Sequence, residues 1–214
     1  MKRRLFILQF LFFAFNSILC AQSFYSVYLQ KNSSITINGT TNLVSFKLYQ
    51  YGDKLAKRDF VISAIQNQNK IVLSKNEQTI LVKNFDSNNK MALRDFKKLV
   101  KADIYPDIHV KLNYFEIDPK SNTSDLSKAN VSVDFTITGK TKKYNIAVKS
   151  NREGDFYVLN GNEKINIRDF GLDPPTEMLG LIRVNEWIDI DFNIICKITS
   201  NKDSQVLLSA SDIK

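Results

Sequence analysis

The side chains that most often carry out catalysis or bind metals are scarce in this 214-residue sequence. It contains one histidine, His109, and two cysteines, Cys20 and Cys196. A Ser-His-Asp or Cys-His site would have to use His109, and a zinc site needs three or four His, Cys or carboxylate ligands. The seven glycines are scattered and form no phosphate-binding loop. The sequence therefore predicts no catalytic residues, no metal site and no cofactor.

The positions of His109 and Cys196 favour structural roles. His109 falls on the polar side of an alternating segment, which predicts a side chain that faces solvent. Cys196 lies between Ile194 and Ile198 on the apolar side of another such segment. Since a reactive thiolate needs positively charged neighbours, we expect Cys196 to be buried and inert.

The acidic residues also form no recognisable site. Asp189 and Asp191 project from the same side of one predicted strand and could help to bind a hard cation. The oxygen-rich loop of a calcium site is missing, so a solvated polar face is the favoured interpretation. Paired carboxylates that hydrolyse sugars could meet in a cleft, but no pair stands out in the sequence.

The segments that position these residues alternate between apolar and polar side chains, a pattern typical of half-buried β-strands. Shorter candidate strands lie at residues 34–38, 42–51, 60–65, 70–74 and 79–83, and turn signals such as Asn38-Gly39 separate the segments. Many short strands with one apolar face each predict an all-β barrel or sandwich. The clearest apolar sets are Ile108, Val110, Leu112 and Tyr114; Val131, Val133, Phe135 and Ile137; Tyr144, Ile146 and Val148; Ile165 and Ile167; and Ile188, Ile190, Phe192, Ile194, Cys196 and Ile198.

One segment has a helical period instead. Between Lys90 and Asp103 the apolar residues recur at the spacing of one helix face, at Ala92, Leu93, Phe96, Leu99 and Val100. Residues 86–89 offer N-caps, and Tyr105-Pro106 is expected to stop the helix. The opposite face is cationic and carries Arg94, Lys97, Lys98 and Lys101. Such a helix could cap the barrel with its lysines in water, or contact an anionic membrane surface transiently. Both descriptions of the helix apply if it caps the barrel in water and opens the barrel at a membrane.

The N-terminus is typical of a secretory signal peptide. Met1-Lys2-Arg3-Arg4 precedes a short apolar run from Leu5 to Phe15, and Ala21 ends the segment. We therefore predict a signal peptide at residues 1–21 and a single exported domain at residues 22–214, in the periplasm or outside the cell of a bacterium. The alternative is a lipoprotein acylated at Cys20, although Leu19 is larger than the residue that usually precedes such a cysteine.

The charge and the cysteine count of the mature chain fit this prediction. Removal of Lys2, Arg3 and Arg4 lowers the formal charge from +8 to +5, an ordinary value that does not point to nucleic acid. Cys196 is then the remaining cysteine, so no intramolecular disulfide can form. The hydrophobic core alone has to hold the domain together.

Four motifs follow one another in an order that resembles the YceI-like family. They are Tyr105-Pro106 before a strand, a hairpin at residues 133–143, an Asp169-Phe170-Gly171 turn, and the alternating strand at 189–198. Gly39-Thr40-Thr41-Asn42 is similar to the start of the first long strand in the Bacteroidetes branch of that family. The resemblance spans residues 33–200.

The resemblance implies a lipocalin-like antiparallel β-barrel of about eight strands with one short amphipathic helix, and a polyisoprenoid or quinone-like lipid in its interior. A barrel of this size can hold one small ligand or be filled by side chains. Phe96 and Leu99 are predicted to close its mouth. The predicted lining residues are Ile108, Val110, Leu112, Val133, Phe135, Ile146, Ile190, Phe192 and Ile194.

Two hypotheses for the function follow. The first is a periplasmic or secreted binding protein for an isoprenoid-like lipid, and it predicts a continuous apolar cavity. The second is a structural or protein-interaction protein of the envelope, and it predicts a filled barrel with a sizeable exposed patch. The lining residues would be apolar in either case. An enzyme is not predicted, because the alternation brings no polar side chains together in a pocket.

Overall fold

The computed structural model describes residues 22–55, 57–120, 126–177 and 181–200. The predicted signal peptide at residues 1–21, its cleavage site and Cys20 lie outside the described residues. The last part of the predicted domain, residues 201–214, lies outside them as well.

The described chain is built from strands and one α-helix, α1 (Lys90–Leu99). The strands are β1 (Gln22–Leu29), β2 (Ser34–Thr40), β3 (Ser45–Tyr51), β4 (Asp59–Asn67), β5 (Lys70–Ser74), β6 (Glu77–Leu81), β7 (Asp107–Ile117), β8 (Leu126–Ile137), β9 (Lys140–Glu153), β10 (Phe156–Asn166), β11 (Thr176–Glu177), β12 (Ile182–Arg183) and β13 (Trp187–Ser200). Short 3₁₀ turns lie at Gly52–Lys54, Val82–Asn84 and Ile167–Phe170.

The strands close into an antiparallel ring with eight positions. β7, β8, β9, β10 and β13 each fill one position and pair in that order. The other three positions are each filled by two short strands that lie in line, namely β1 with β2, β4 with β3, and β5 with β6. β13 pairs with both β1 and β2, and β7 pairs with both β5 and β6. On their other side, β1 pairs with β4 and β2 pairs with β3. The pairing of β1 with β13 closes the ring. The predicted all-β barrel of about eight strands with one helix is thus confirmed.

The chain between β1 and β2 is held by a buried serine. Ser33 lies in this connection, accepts a hydrogen bond from the Ile195 amide and donates one to the Ile195 carbonyl, both at 3.0 Å. The hydroxyl therefore replaces the backbone groups that an uninterrupted strand would present to β13.

A β-bulge in β7 reverses which residues of its second half face the interior of the barrel. The register shifts between Leu112 and Tyr114, opposite the connection between β5 and β6, where buried Asn76 donates to the Leu112 carbonyl. As a result Phe115 faces the interior, and Tyr114 lies on the outer wall with the Lys70 amine 3.9 Å from its ring centre. The prediction that Tyr114 shares a face with Leu112 was wrong, because a bulge adds one residue to the alternation.

The two ends of the barrel carry different connections. The helix end, as we call it, bears the β2–β3 turn at 41–44, the segment 82–106 with α1, the β8–β9 turn at 138–139 and the described residues 167–177 and 181–186. The far end bears the β4–β5 turn at 68–69, the described residues 118–120 after β7 and the β9–β10 turn at 154–155. β2 pairs with the first half of β13, so β2 ends at the helix end. β1 pairs with the second half of β13, so β1 begins at the far end.

Helix α1 begins and ends at identifiable caps. The Asn89 side chain accepts hydrogen bonds from the amides of Met91 and Ala92, both at 3.1 Å. At the other end Lys101 has a left-handed φ of 51°, and the Ala102 amide donates to the Lys97 carbonyl at 2.9 Å. This is a Schellman cap. It ends the helix before the predicted limit at residue 103 and without the help of Pro106.

Several strand boundaries differ from the prediction. The Thr41 hydroxyl accepts hydrogen bonds from the amides of Leu43 and Val44, which makes residues 41–44 a turn. Gly39-Thr40-Thr41-Asn42 therefore ends β2 and enters this turn, and does not start a long strand. Neither β1 nor the first half of β10 was predicted as a strand from the sequence.

Within the part of the chain that the structure describes, no helix is long and apolar enough to cross a membrane.

The cap of α1 can be tested by Asn89→Ala. This change leaves the amides of Met91 and Ala92 without their side-chain acceptor. We expect the free energy of unfolding to fall by about 1 kcal/mol, measured by urea denaturation. Asn89→Ser restores an acceptor and should recover most of the loss. Equal stability of the alanine variant and the wild type would contradict the assignment of this cap.

Candidate functional site

A cavity of about 720 Å³ occupies the interior of the barrel. Its wall is formed by inward-facing residues of all eight strand positions, together with one face of α1. Small-molecule sites in proteins have volumes of about 300–1,000 Å³, so the cavity is large enough for a ligand. The closed ring and the alternation of side chains give the cavity its long apolar wall.

The residues predicted to line the barrel are brought together in this wall. All nine face the cavity, and their contact with a ligand stays a prediction. Phe96 and Leu99 of α1 also line the cavity, at the helix end. The nine residues are Ile108, Val110, Leu112, Val133, Phe135, Ile146, Ile190, Phe192 and Ile194.

Two glycines make room for aromatic rings along the wall. The Phe192 ring of β13 lies directly over Gly161 of β10, at the position where a Cβ atom of residue 161 would stand. The Phe46 ring of β3 covers Gly39 of β2 in the same way. Both rings belong to the cavity wall. Because they lie against the neighbouring backbone, they occupy less of the interior than rings that project from the wall.

Sequence reasoning missed the part of the wall that β1, β4 and β5 supply, together with the second half of β7 and the first half of β10. Alternation in β1 already marks Tyr25, Val27 and Leu29 as one face, and this signal could have been used. The partners in β4 and β5 come from short segments whose inward face the sequence alone does not define. The missed lining residues include Val27, Leu29, Phe60, Ile62, Leu73, Phe115, Tyr157 and Leu159.

Polar side chains are few in the wall and lie mostly near its two ends. The far end has hydroxyl and amide groups, namely Ser23, Tyr25, Gln66, Ser127 and Ser150. The helix end has Thr41, Asn89 and Asp95, and the Asp95 carboxylate pairs with Arg94 at 3.0 Å. Between these ends the wall is largely apolar. The arrangement suits a long apolar molecule and can accept a neutral polar group at either end.

Cys196 faces the cavity and is buried, with 3% of its surface exposed. It packs with Val27 and Leu29 of β1. Burial in this apolar cluster raises the pKa of the thiol to about 11. Cys196 therefore forms part of the apolar wall and is protonated at neutral pH.

The other residues singled out in the sequence lie away from the cavity. His109 is on the outer wall, with its Nδ1 atom 3.1 Å from a carboxylate oxygen of Glu77. The Asp191 carboxylate accepts hydrogen bonds from the side-chain amides of Asn38 and Asn162, each at 2.5 Å. No cluster of three or more potential metal ligands is found among the described residues.

The wall has a seam where β9 and β10 separate towards the helix end. Their pairing stops at Val148 and Gly161, and the 3₁₀ turn Ile167–Phe170 packs beside the gap. There the Tyr144 hydroxyl donates to the Asp169 carboxylate at 2.9 Å. Burial, followed by this bond, raises the pKa of Tyr144, and burial raises the pKa of Glu163. The hydrogen bond between Tyr144 and Asp169 thus joins β9 to the 3₁₀ turn beside the gap.

Comparison with known proteins supports the fold. A family model described as YceI-like domain matches residues 37–196. The structure of BcnA from Burkholderia cenocepacia is similar, with a TM-score of 0.56 and 19% identity over 76% of this chain and 95% of that chain. A polyisoprenoid binding domain from Saccharophagus degradans has a TM-score of 0.54 and 12% identity over 82% of this chain and 98% of that chain. No curated protein shows significant sequence similarity to this chain.

The packing of Phe192 over Gly161 can be tested by Gly161→Val. The valine side chain would take the place of the Phe192 ring and push it into the cavity. We expect a smaller cavity in a crystal structure of the variant and weaker binding of an apolar fluorescent dye. Adding Phe192→Ala should restore the space and the dye binding. A variant that binds the dye as the wild type does would show that the ring has another position to occupy.

The environment of Cys196 predicts a pH-dependent reactivity. The thiol pKa is about 11 in the folded protein against 9.0 for an exposed thiol, so at about pH 8 its thiolate is about 100-fold rarer than in the unfolded chain. Alkylation by iodoacetamide should be slower by at least that factor in the folded protein starting at Gln22, as measured by mass spectrometry. The same shift should lower the stability as the pH rises from 9 towards 11, since the unfolded thiol ionises first. Equal alkylation rates in buffer and in guanidinium would contradict burial of the thiol.

Proposed function

This chain belongs to the YceI-like family, and we propose that it is an exported binding protein that holds an isoprenoid-like apolar lipid inside its barrel. The observation that carries this proposal is the cavity of about 720 Å³, whose wall is apolar between two polar ends. A polyisoprenoid is a long apolar chain with one small polar end, so its shape and chemistry match this space. The similar domain from Saccharophagus degradans is described as polyisoprenoid binding, which supports the same ligand class.

The driving force for binding would be the removal of apolar surface from water. It amounts to about 25 cal/mol for each Å² that is buried, which is substantial for a long chain. The wall supplies matching apolar surface from strands on all sides, including Val133, Ile146 and Phe192. Because the wall is rigidly paired through the strands, little conformational entropy would be lost on binding.

The alternative function, a filled barrel that acts through its outer surface, fits the structure less well. It predicts that side chains occupy the interior, whereas the described wall lines a cavity of about 720 Å³. Catalysis is also not part of our proposal. His109 lies on the outer wall and Cys196 is buried with a raised pKa, so neither offers a general base or a nucleophile to the polar groups of the described wall, such as Ser127 and Asn89.

We also propose that the protein works in the periplasm or outside the cell, where the predicted signal peptide would deliver it. The cationic face of α1 lies at the helix end, beside the cavity. Transient contact of this face with a membrane surface would bring the cavity close to a source of lipid.

The proposal is tested by native mass spectrometry of the protein purified from its own envelope, followed by solvent extraction and lipid identification. We expect a stoichiometric isoprenoid-like lipid. A protein that carries no lipid, and takes up none when offered polyprenols or quinones, would exclude this function and direct the search to the outer surface.

A substitution in the wall separates binding from folding. Leu112→Trp adds a large side chain to the middle of the cavity, whereas Lys111→Trp places the same side chain on the outer wall of the same strand. We expect Leu112→Trp to reduce lipid occupancy at least about tenfold while the barrel remains folded, because the cavity has space for the ring. Lys111→Trp should bind like the wild type. Circular dichroism checks the folding of both, and equal binding by both would contradict the assignment of the cavity.

A further inference from the structure

The helix end of the barrel exposes an unusual number of large apolar side chains. Leu43 and Leu181 are 68% and 71% exposed, and Val44 and Met91 are 57% and 56% exposed. They come from the β2–β3 turn, the β11–β12 hairpin and the first turn of α1. Exposed apolar groups that gather at one end of a protein typically mark a contact surface.

Hydrogen bonds join two of these elements into one tip. The Asn42 side-chain amide donates to the Leu181 carbonyl at 2.9 Å, and its oxygen accepts from the Arg183 amide at 3.0 Å. Thr41 and Val184 add a β-bridge between the same two segments. Leu43 and Leu181 are therefore brought close together by the hydrogen bonds of Asn42, and both side chains remain exposed.

The exposed tip is continuous with the cavity. Val44 and Met91 are exposed to solvent and also line the cavity, together with Ala92 of α1 and Ile182 of β12. We call Leu43, Val44, Met91 and Leu181 the apolar rim. Leu43 and Leu181 directly precede Val44 and Ile182 in the chain, and both of these line the cavity, so a molecule held by the rim lies next to the cavity.

The far end has the opposite character. Its described turn residues are polar or small: Gln68 and Asn69 between β4 and β5, Lys120 after β7, and Gly154 and Asp155 between β9 and β10. None of these described turns presents a large apolar side chain. The contrast between the two ends orients the barrel, with the helix end suited to an apolar medium and the far end to water.

The charge of α1 indicates which kind of apolar medium the helix end contacts. Residues 90–103 carry five basic and two acidic side chains, and Asp95 is paired with Arg94. Lys97 and Lys98 in the last turn of α1, and Lys101 just beyond its C-cap, have no ion pair within the described chain, and Lys98 and Lys101 are exposed. A rim of apolar groups flanked by free cations is complementary to the surface of an anionic bilayer.

We propose that the helix end docks on an anionic phospholipid bilayer, with the apolar rim inserted among the headgroups and Lys97, Lys98 and Lys101 against the lipid phosphates. The cavity would then open onto the bilayer, and the apolar ligand would pass between the two without crossing water. This last step rests on the proposed lipid-binding function, whereas the docking itself does not.

Docking is tested by co-sedimentation of the exported, purified protein with vesicles. The vesicles contain phosphatidylcholine alone or phosphatidylcholine with phosphatidylglycerol, and no isoprenoid lipid. We expect binding to the anionic vesicles that weakens as the salt concentration rises. The combined change of Lys97, Lys98 and Lys101 to Gln should weaken binding about 100-fold, since each cation near the surface contributes about fivefold. Leu43→Ser with Leu181→Ser should weaken it about tenfold.

Matched controls use equivalent residues away from the rim. Val61→Ser with Val72→Ser removes two exposed valines of the outer wall, and the change of Lys31, Lys120 and Lys149 to Gln removes the same charge elsewhere. Both control variants should bind vesicles as the wild type does. Equal losses in the control and rim variants would overturn the proposal, since they would show a general electrostatic attraction without a docking face.

Other occupants of the rim would give different results. If the rim contacts a second copy of the chain, Leu43→Ser with Leu181→Ser would lower the molar mass measured by light scattering, and vesicle binding would be missing. If the rim contacts a protein partner, vesicles of both compositions would fail to bind. Either result would overturn the membrane proposal.

The same variants separate this proposal from the proposed function. Lipid occupancy is measured by native mass spectrometry without vesicles, and docking is measured without isoprenoid lipid. Docking that fails while the protein still holds lipid rejects the docking proposal alone. A protein that docks but holds no lipid rejects the binding function alone and leaves the docking face in place.

Discussion

Closure of the antiparallel ring is the constraint on which the rest of the structure depends. Pairing between β1 and β13 joins the two ends of the described chain and leaves every long strand with a neighbour on both sides. A closed sheet has one inner and one outer face, so the alternation of each strand becomes an alternation between interior and solvent. The apolar wall, the cavity and the burial of Cys196 all follow from this closure.

Closure is achieved with strands that are not continuous. Ser33 and Asn76 supply side-chain hydrogen bonds where β1 gives way to β2 and β5 to β6, and the bulge in β7 lies opposite the second of these breaks. Such irregularities bend the wall and increase its local twist, which helps a sheet of eight positions to close. They also decide that Phe115, and not Tyr114, faces the interior.

The same architecture separates the two ends of the molecule chemically. The described turns of the far end, at residues 68–69 and 154–155, are short and polar, whereas the helix end carries the turn at 41–44 and the connections that provide α1, β11 and β12. Phe96 and Leu99 pack α1 against the core, while Arg94 and Lys98 of the same helix are exposed. A cavity whose apolar wall continues into an apolar rim is suited to take up a ligand that is insoluble in water.

The sequence alone determined which residues share a face where the alternation of a long strand is uninterrupted, because alternation is a local property of each strand. It therefore predicted the barrel, a helix between residues 90 and 103 of which the structure forms Lys90–Leu99, and nine residues of the wall, from Ile108 to Ile194. Only the tertiary structure decided how the strands close, which short early segments complete the wall, where the bulge reverses the alternation, and that the rings of Phe192 and Phe46 lie flat over glycines. These features depend on contacts between residues far apart in the chain, such as Gly161 and Phe192, and no local pattern records such contacts. The space inside the barrel is likewise a property of the closed ring, since the same apolar residues would also suit a filled core.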